Sequence, residues 1–188
     1  MIFRSLLVLL LGLTLSAGAW AGGYRVEVVI FAYDPPQTRE LLIPTQAPAL
    51  SPEAVDPGAG DGTFRAVPLS ASMSGIADQL RRSHGYRVLA TQAWVQPALG
   101  PGRARPVHVT GTSTGARLDG TVRLVARRFL HVTTDLIYTP AAQATSESEA
   151  AAAPESYRIV GKRRMRLGEI HYLDHPQVGV LVTVERAD

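Results

Sequence analysis

Two stretches near the ends of the sequence commit it to a sheet. In YRVEVVIFAY (Tyr24 to Tyr33) and VGVLVTVE (Val178 to Glu185), β-branched residues recur at every second position. A period of two puts Val26, Val28 and Ile30 on one face of a strand, and Val178, Val180, Val182 and Val184 on one face of another. The first stretch is also apolar on its second face, through Val29 and Phe31, as a central strand requires. The last strand is expected inside the sheet as well, with Leu130, Val132, Val180 and Val182 buried.

The same period returns in YRVLATQAWV (Tyr86 to Val95), PVHVTG (Pro106 to Gly111) and GTVRLVARRFLHVTTDLIY (Gly120 to Tyr138). The last of these reads as two strands joined through Ala126 to Arg128. One segment has a helical period instead. From Ala71 to His84, Met73, Ile76, Ala77 and Leu80 fall at three-to-four spacing, with Ser70 or Ser72 placed to cap the start and Gly85 to stop the end. Asp34 to Phe64 holds six of the 13 prolines, and Thr139 to Glu155 is rich in Ala and Ser without an apolar period, so both read as long loops. The fold class is therefore α+β: a mainly antiparallel sheet of about six strands with one principal helix packed on a face.

MIFRSLLVLLLGLTLSAGAWA (Met1 to Ala21) combines a single basic residue, an apolar run from Leu6 to Leu13 and small residues before Gly22. It reads as a secretory signal peptide, cleaved after Ala21 or after Ala19. The apolar run is well short of the ~20 residues that a membrane-spanning helix needs, so no stable membrane insertion is expected after processing. The remaining 22-188 make roughly 165 residues, the size of one domain. Without any cysteine, neither a lipid anchor on cysteine nor a disulfide framework is available, and a bacterial periplasm is the expected destination. Removing Arg4 leaves 18 basic residues against 16 acidic ones, too mild an excess to point to nucleic acid. Lys162 is the only lysine, so the cations are almost all guanidinium groups, which fork onto carboxylates and phosphates.

Sequence motifs for catalysis are weak. GTSTG (Gly111 to Gly115) matches the nucleophile elbow of serine hydrolases, but the ARLDGTVRL that follows has no helical period, and the elbow needs a helix directly after Ser113. No phosphate-cradling glycine loop is present, and no cofactor is implied. RRMRLGEIHYLDHPQVGVLVTV (Arg163 to Val184) concentrates the remaining chemistry. His171, Asp174 and His175 could be metal ligands in a hydrolase, yet they straddle a proline turn and lack the helical spacing and glutamate of a zinc motif. Just before them, Tyr157 to Arg166 alternates again: Arg158, Lys162, Arg164 and Arg166 share one face, with Ile159, Met165 and Leu167 on the other and Arg163 also pointing away from the row. Regularly spaced cations on one face either attract an anionic polymer or act as a solvated edge that discourages strand pairing. The candidate ligand-binding residues are Arg158, Lys162, Arg164, Arg166, His171, Asp174 and His175, with no catalytic or metal residue assigned.

Taken together, the leader, the immediate YRVEVVIF strand, LDGTVRL with RRFLHV after it, and the terminal RRMRLGEIHYLDHPQVGVLV resemble the CsiV family of periplasmic proteins from gamma-proteobacteria. The resemblance implies a non-enzymatic protein that binds peptidoglycan. It also implies a role in cell-wall synthesis, exerted through the outer-membrane lipoprotein that activates a bifunctional penicillin-binding protein. A pure protein-protein adaptor and a metal-dependent periplasmic hydrolase are the alternatives. Peptidoglycan stem peptides carry carboxylates, which suit arginine forks.

Overall fold

A computed structural model describes residues 22–37, 51–141 and 155–187; the leader and its cleavage site, residues 38–50 of the first long loop and 142–154 of the second lie outside these. The first strand, β1 (Gly23–Tyr33), is followed by the two-residue β2 (Arg65–Ala66), helix α1 (Ala71–Arg82) and β3 (Tyr86–Pro97). Then come β4 (Val107–Ser113), β5 (Ala116–Ala126), β6 (Leu130–Thr139), β7 (Tyr157–Met165), β8 (Ile170–His175) and β9 (Val178–Ala187).

The strands form two sheets where the alternation predicts one. The first has the order β2-β3-β1-β9-β8 and the second β4-β5-β6-β7, with every named pairing antiparallel. Period two establishes that one face of each strand is buried, but it does not say which other strands bury it. Here Val26, Val28, Ile30, Val180, Val182 and Val184 of the first sheet meet Val109, Leu118, Val122, Leu124, Val132 and Leu136 of the second in one core. Leu130, Val132, Val180 and Val182 are all buried, and β9 lies between β1 and β8, as its valines require.

β1 is central and covered on both faces. Its second face holds Val29, against which α1 packs Met73 and Ala77 with help from Ile76 and Leu80. Ser70 caps the helix by accepting from the Met73 N–H. The helix ends at Arg82, with Ser83 extended and donating its N–H back to the Leu80 carbonyl. Gly85 is not in a left-handed conformation, so the expected glycine stop is replaced by an extended serine. Glu27, one turn of the pleat before Val29, is fully buried under the start of α1. Its carboxylate accepts from the Ser70 N–H at 3.1 and 3.2 Å, the Ser70 hydroxyl at 2.7 Å and the Arg25 guanidinium. A buried negative charge is satisfied there by three donors and by the helix N-terminus.

GTSTG forms a hairpin. Ser113 pairs with Ala116 across Thr114 and Gly115, whose φ values of 47° and 82° make the two-residue turn that a right-twisted ribbon favours. β5 follows immediately, so Ser113 lacks the helix of a nucleophile elbow.

Candidate functional site

The cationic residues lie on the outer face of the second sheet. In β6, Leu130, Val132 and Leu136 turn inward, leaving His131, Thr133 and Asp135 outside. Antiparallel register sets His131 opposite Arg164, Thr133 opposite Lys162 and Ile137 opposite Arg158. The row read from the sequence is thus real for Arg158, Lys162 and Arg164. Arg166 leaves it: β7 ends at Met165, and Arg166 lies in the turn to β8, 3.5 Å from Glu169. Arg163 does face the opposite side but is exposed, on the edge strand β7.

The three cations of the row differ in their partners. Arg158 is committed to Asp135 through two parallel bonds of 2.7 Å, and this fork holds the Asp135 carboxyl below its usual range. Arg164 lies over the Phe129 ring, its guanidinium carbon 3.3 Å from the centroid, with Arg128 at 5.4 Å. Among the described residues, neither Lys162 nor Arg164 makes an ion pair. The register shows a relation that a single strand cannot: Arg123 of β5 sits opposite Thr133, and Thr133 opposite Lys162, so two cations flank Thr133 on one rung, with the Arg123 guanidinium donating to the Pro101 carbonyl. Arg123 in turn borders a groove of about 290 Å³ with Arg103 and Arg105. The signal for Arg123 was its outward position in the alternation of TVRLV.

The His171, Asp174 and His175 constellation does not assemble. β8 is extended, so His171 and His175 stand roughly 13 Å apart along it while Asp174 points to the other face. Zinc ligands approach the ion to about 2 Å, which this separation forbids. His171 accepts a hydrogen bond from the Arg166 N–H at 3.0 Å and so ties the turn that carries Arg166. His175 accepts from the Gln177 N–H at 3.2 Å, and burial pushes its pKa down. Among the described residues, no three His, Cys, Asp or Glu side chains converge as metal ligands would.

Asp174 has a different role. It accepts from the Tyr172 hydroxyl at 2.6 Å and the Tyr33 hydroxyl at 2.9 Å, and the Tyr172 bond first, then Tyr33, keep its carboxyl ionised below the usual range. Burial and the bond to Asp174 push the Tyr172 phenol well above its ordinary value. Phe31 lies beside them, stacked on Tyr172 at 6.5 Å and edge-on to Tyr33 and Tyr86 at 5.6 and 5.3 Å. This aromatic group lies on the outer face of the first sheet, just past the end of α1.

A family model described as "Peptidoglycan-binding protein, CsiV" matches residues 2–187. The chain belongs to the CsiV family. No curated protein and no solved structure matches it. As a CsiV protein it belongs among peptidoglycan-binding proteins.

Proposed function

We propose that this CsiV protein is an exported, non-enzymatic periplasmic protein that holds peptidoglycan electrostatically through the outer face of its second sheet. Lys162 and Arg164 provide the attraction, and Arg128 adds to it at the β5–β6 turn. The observation that carries this reading is the register, which sets Lys162 and Arg164 side by side on the outward face of β7 in a member of a peptidoglycan-binding family. Stem-peptide carboxylates are the matching anions, and guanidinium forks suit their geometry. Such binding would support cell-wall synthesis through the outer-membrane lipoprotein that activates a bifunctional penicillin-binding protein. The leader MIFRSLLVLLLGLTLSAGAWA supports export.

The test is co-sedimentation of purified protein with isolated sacculi at low and high salt. The protein should pellet at low salt and be largely released at high salt, since mobile ions screen exposed charges. Lys162→Glu with Arg164→Glu should reproduce the release without added salt. Salt-independent pelleting that survives both reversals would remove the cationic face from the mechanism. Failure to pellet, with retained capture of the lipoprotein, would favour an adaptor.

A further inference from the structure

The aromatic group around Asp174 borders an open groove of about 470 Å³, within the range of small-ligand sites. Its floor is Phe31, nearly buried. Tyr86 and Tyr172 are each 40% exposed and flank Phe31 from opposite sides, Tyr86 edge-on and Tyr172 stacked. Exposed aromatic surface gathered in a concavity marks a contact site more often than a single exposed ring does. Around the rings, the groove is bordered by Gln37, Gln79 and Ser83, which offer amide and hydroxyl groups.

The charge of the groove narrows the ligand. Among its described lining residues there is no lysine or arginine, and the fixed, ionised Asp174 bonds two of its tyrosines. A phosphate or carboxylate ligand would be repelled there. An apolar partner helix would leave the amide and hydroxyl rim without hydrogen bonds. A pyranose ring satisfies both constraints: its C–H face lies on an aromatic ring, while its hydroxyl and acetamido edges bond amides and hydroxyls, and it carries no charge.

We infer that this groove, formed by Phe31, Tyr33, Tyr86 and Tyr172 beside the C-terminal end of α1, is a saccharide site that takes the N-acetylated amino-sugar strand of peptidoglycan. The inference rests on the peptidoglycan reading for the identity of the sugar and assigns the uncharged half of that polymer to a separate surface. The groove and the cationic face lie on the outer faces of different sheets. Mutations can therefore remove one without touching the other.

The probe is a soluble β-1,4-linked tetramer of N-acetylglucosamine, titrated into the purified protein by calorimetry and by amide NMR. Saturable binding is expected, with shifts centred on Ser83, Tyr86 and Tyr172. Tyr86→Ala and Tyr172→Ala should each weaken it about tenfold, the loss of one stacking ring and its polar tip. Tyr86→Phe, which keeps the ring, should largely retain binding, and Lys162→Glu with Arg164→Glu should leave it unchanged. Thermal melts of each variant separate lost binding from lost folding. If wild-type protein pellets with sacculi but the tetramer neither binds nor competes, the saccharide site is overturned while the peptidoglycan reading stands. The site would equally be overturned by binding that both alanine variants retain, or by occupation of the groove by an apolar partner helix in place of the sugar. Tetramer binding without sacculus binding would support the groove and sink the broader reading.

Discussion

Gly179→Ala tests how the aromatic group is seated. Gly179 pairs with Phe31 across β1 and β9, and a Cβ built on it would lie 2.3 Å from the Phe31 Cζ and within 2.9 Å of two further ring carbons. The Gly179 backbone is outside the left-handed region, so alanine is barred only by the ring. To reach ordinary contact near 3.5 Å the ring must retreat roughly 1.2 Å. Overpacking of this kind costs about 1–3 kcal/mol. Against it stands a gain of about 0.4–1 kcal/mol from the reduced freedom of the unfolded chain when glycine becomes alanine. The net loss is therefore on the order of 1–2 kcal/mol, or a Tm lowered by roughly 2–8 °C for a domain of this size. The retreating ring also breaks its stack on Tyr172, so tetramer affinity should fall with stability. In a Phe31→Ala background the obstacle is gone, and the same glycine substitution should become neutral or slightly stabilising. Thermal and urea unfolding of the four proteins in this cycle measures the coupling directly. If Gly179→Ala costs the same with and without the Phe31 ring, the assigned contact is wrong.

Three further outcomes are expected. Glu27→Ala should lower unfolding free energy by about 1–3 kcal/mol in urea titrations, because it leaves the half-buried Ser70 donors unpaired and removes one partner of Arg25; a loss below about 0.5 kcal/mol, the level of a surface change, would show that these donors find other partners. His108 lies 2.8 Å from both Asp56 and Asp119; burial pulls its pKa down, but the two carboxylates outweigh burial and hold it above the ordinary value. A raised folded-state pKa means stability that is fully present below about pH 6.5 and lost as pH rises through the folded value, so His108→Gln should destabilise the protein at pH 5 and much less at pH 9, checked by urea melts at the two pH values. Asp135→Asn should free Arg158 from its fork and strengthen low-salt sacculus binding modestly, with little change in Tm because the pair is exposed; weakened binding would mean that Arg158 acts only when held in place.

Much of the fold follows from local chemistry in the sequence. Alternation specifies strands and their buried faces residue by residue, and the valines of β9 mark an inner strand without reference to any partner. The same local logic places Lys162 and Arg164 outward and Met73 and Ala77 under the helix. It cannot assign partners, because a strand with one apolar face fits equally a single helix-covered sheet or a two-sheet sandwich, and long-range packing selects the sandwich. Arg166 kept the alternation in sequence but lost it in space, where the chain turns after Met165 to cross from one sheet to the other. The His171 and His175 pair looked like a cluster only while their separation was counted in residues, since an extended strand spreads four residues over roughly 13 Å. The tyrosine groove was least legible: Tyr33 and Tyr172 meet across 139 positions, and neither segment alone marks the other. Sequence thus determined which side chains face outward, and the pairing of β1, β3, β9 and β8 decided which of them became neighbours, because strand partners are set by burial shared across the whole core and not by any local pattern.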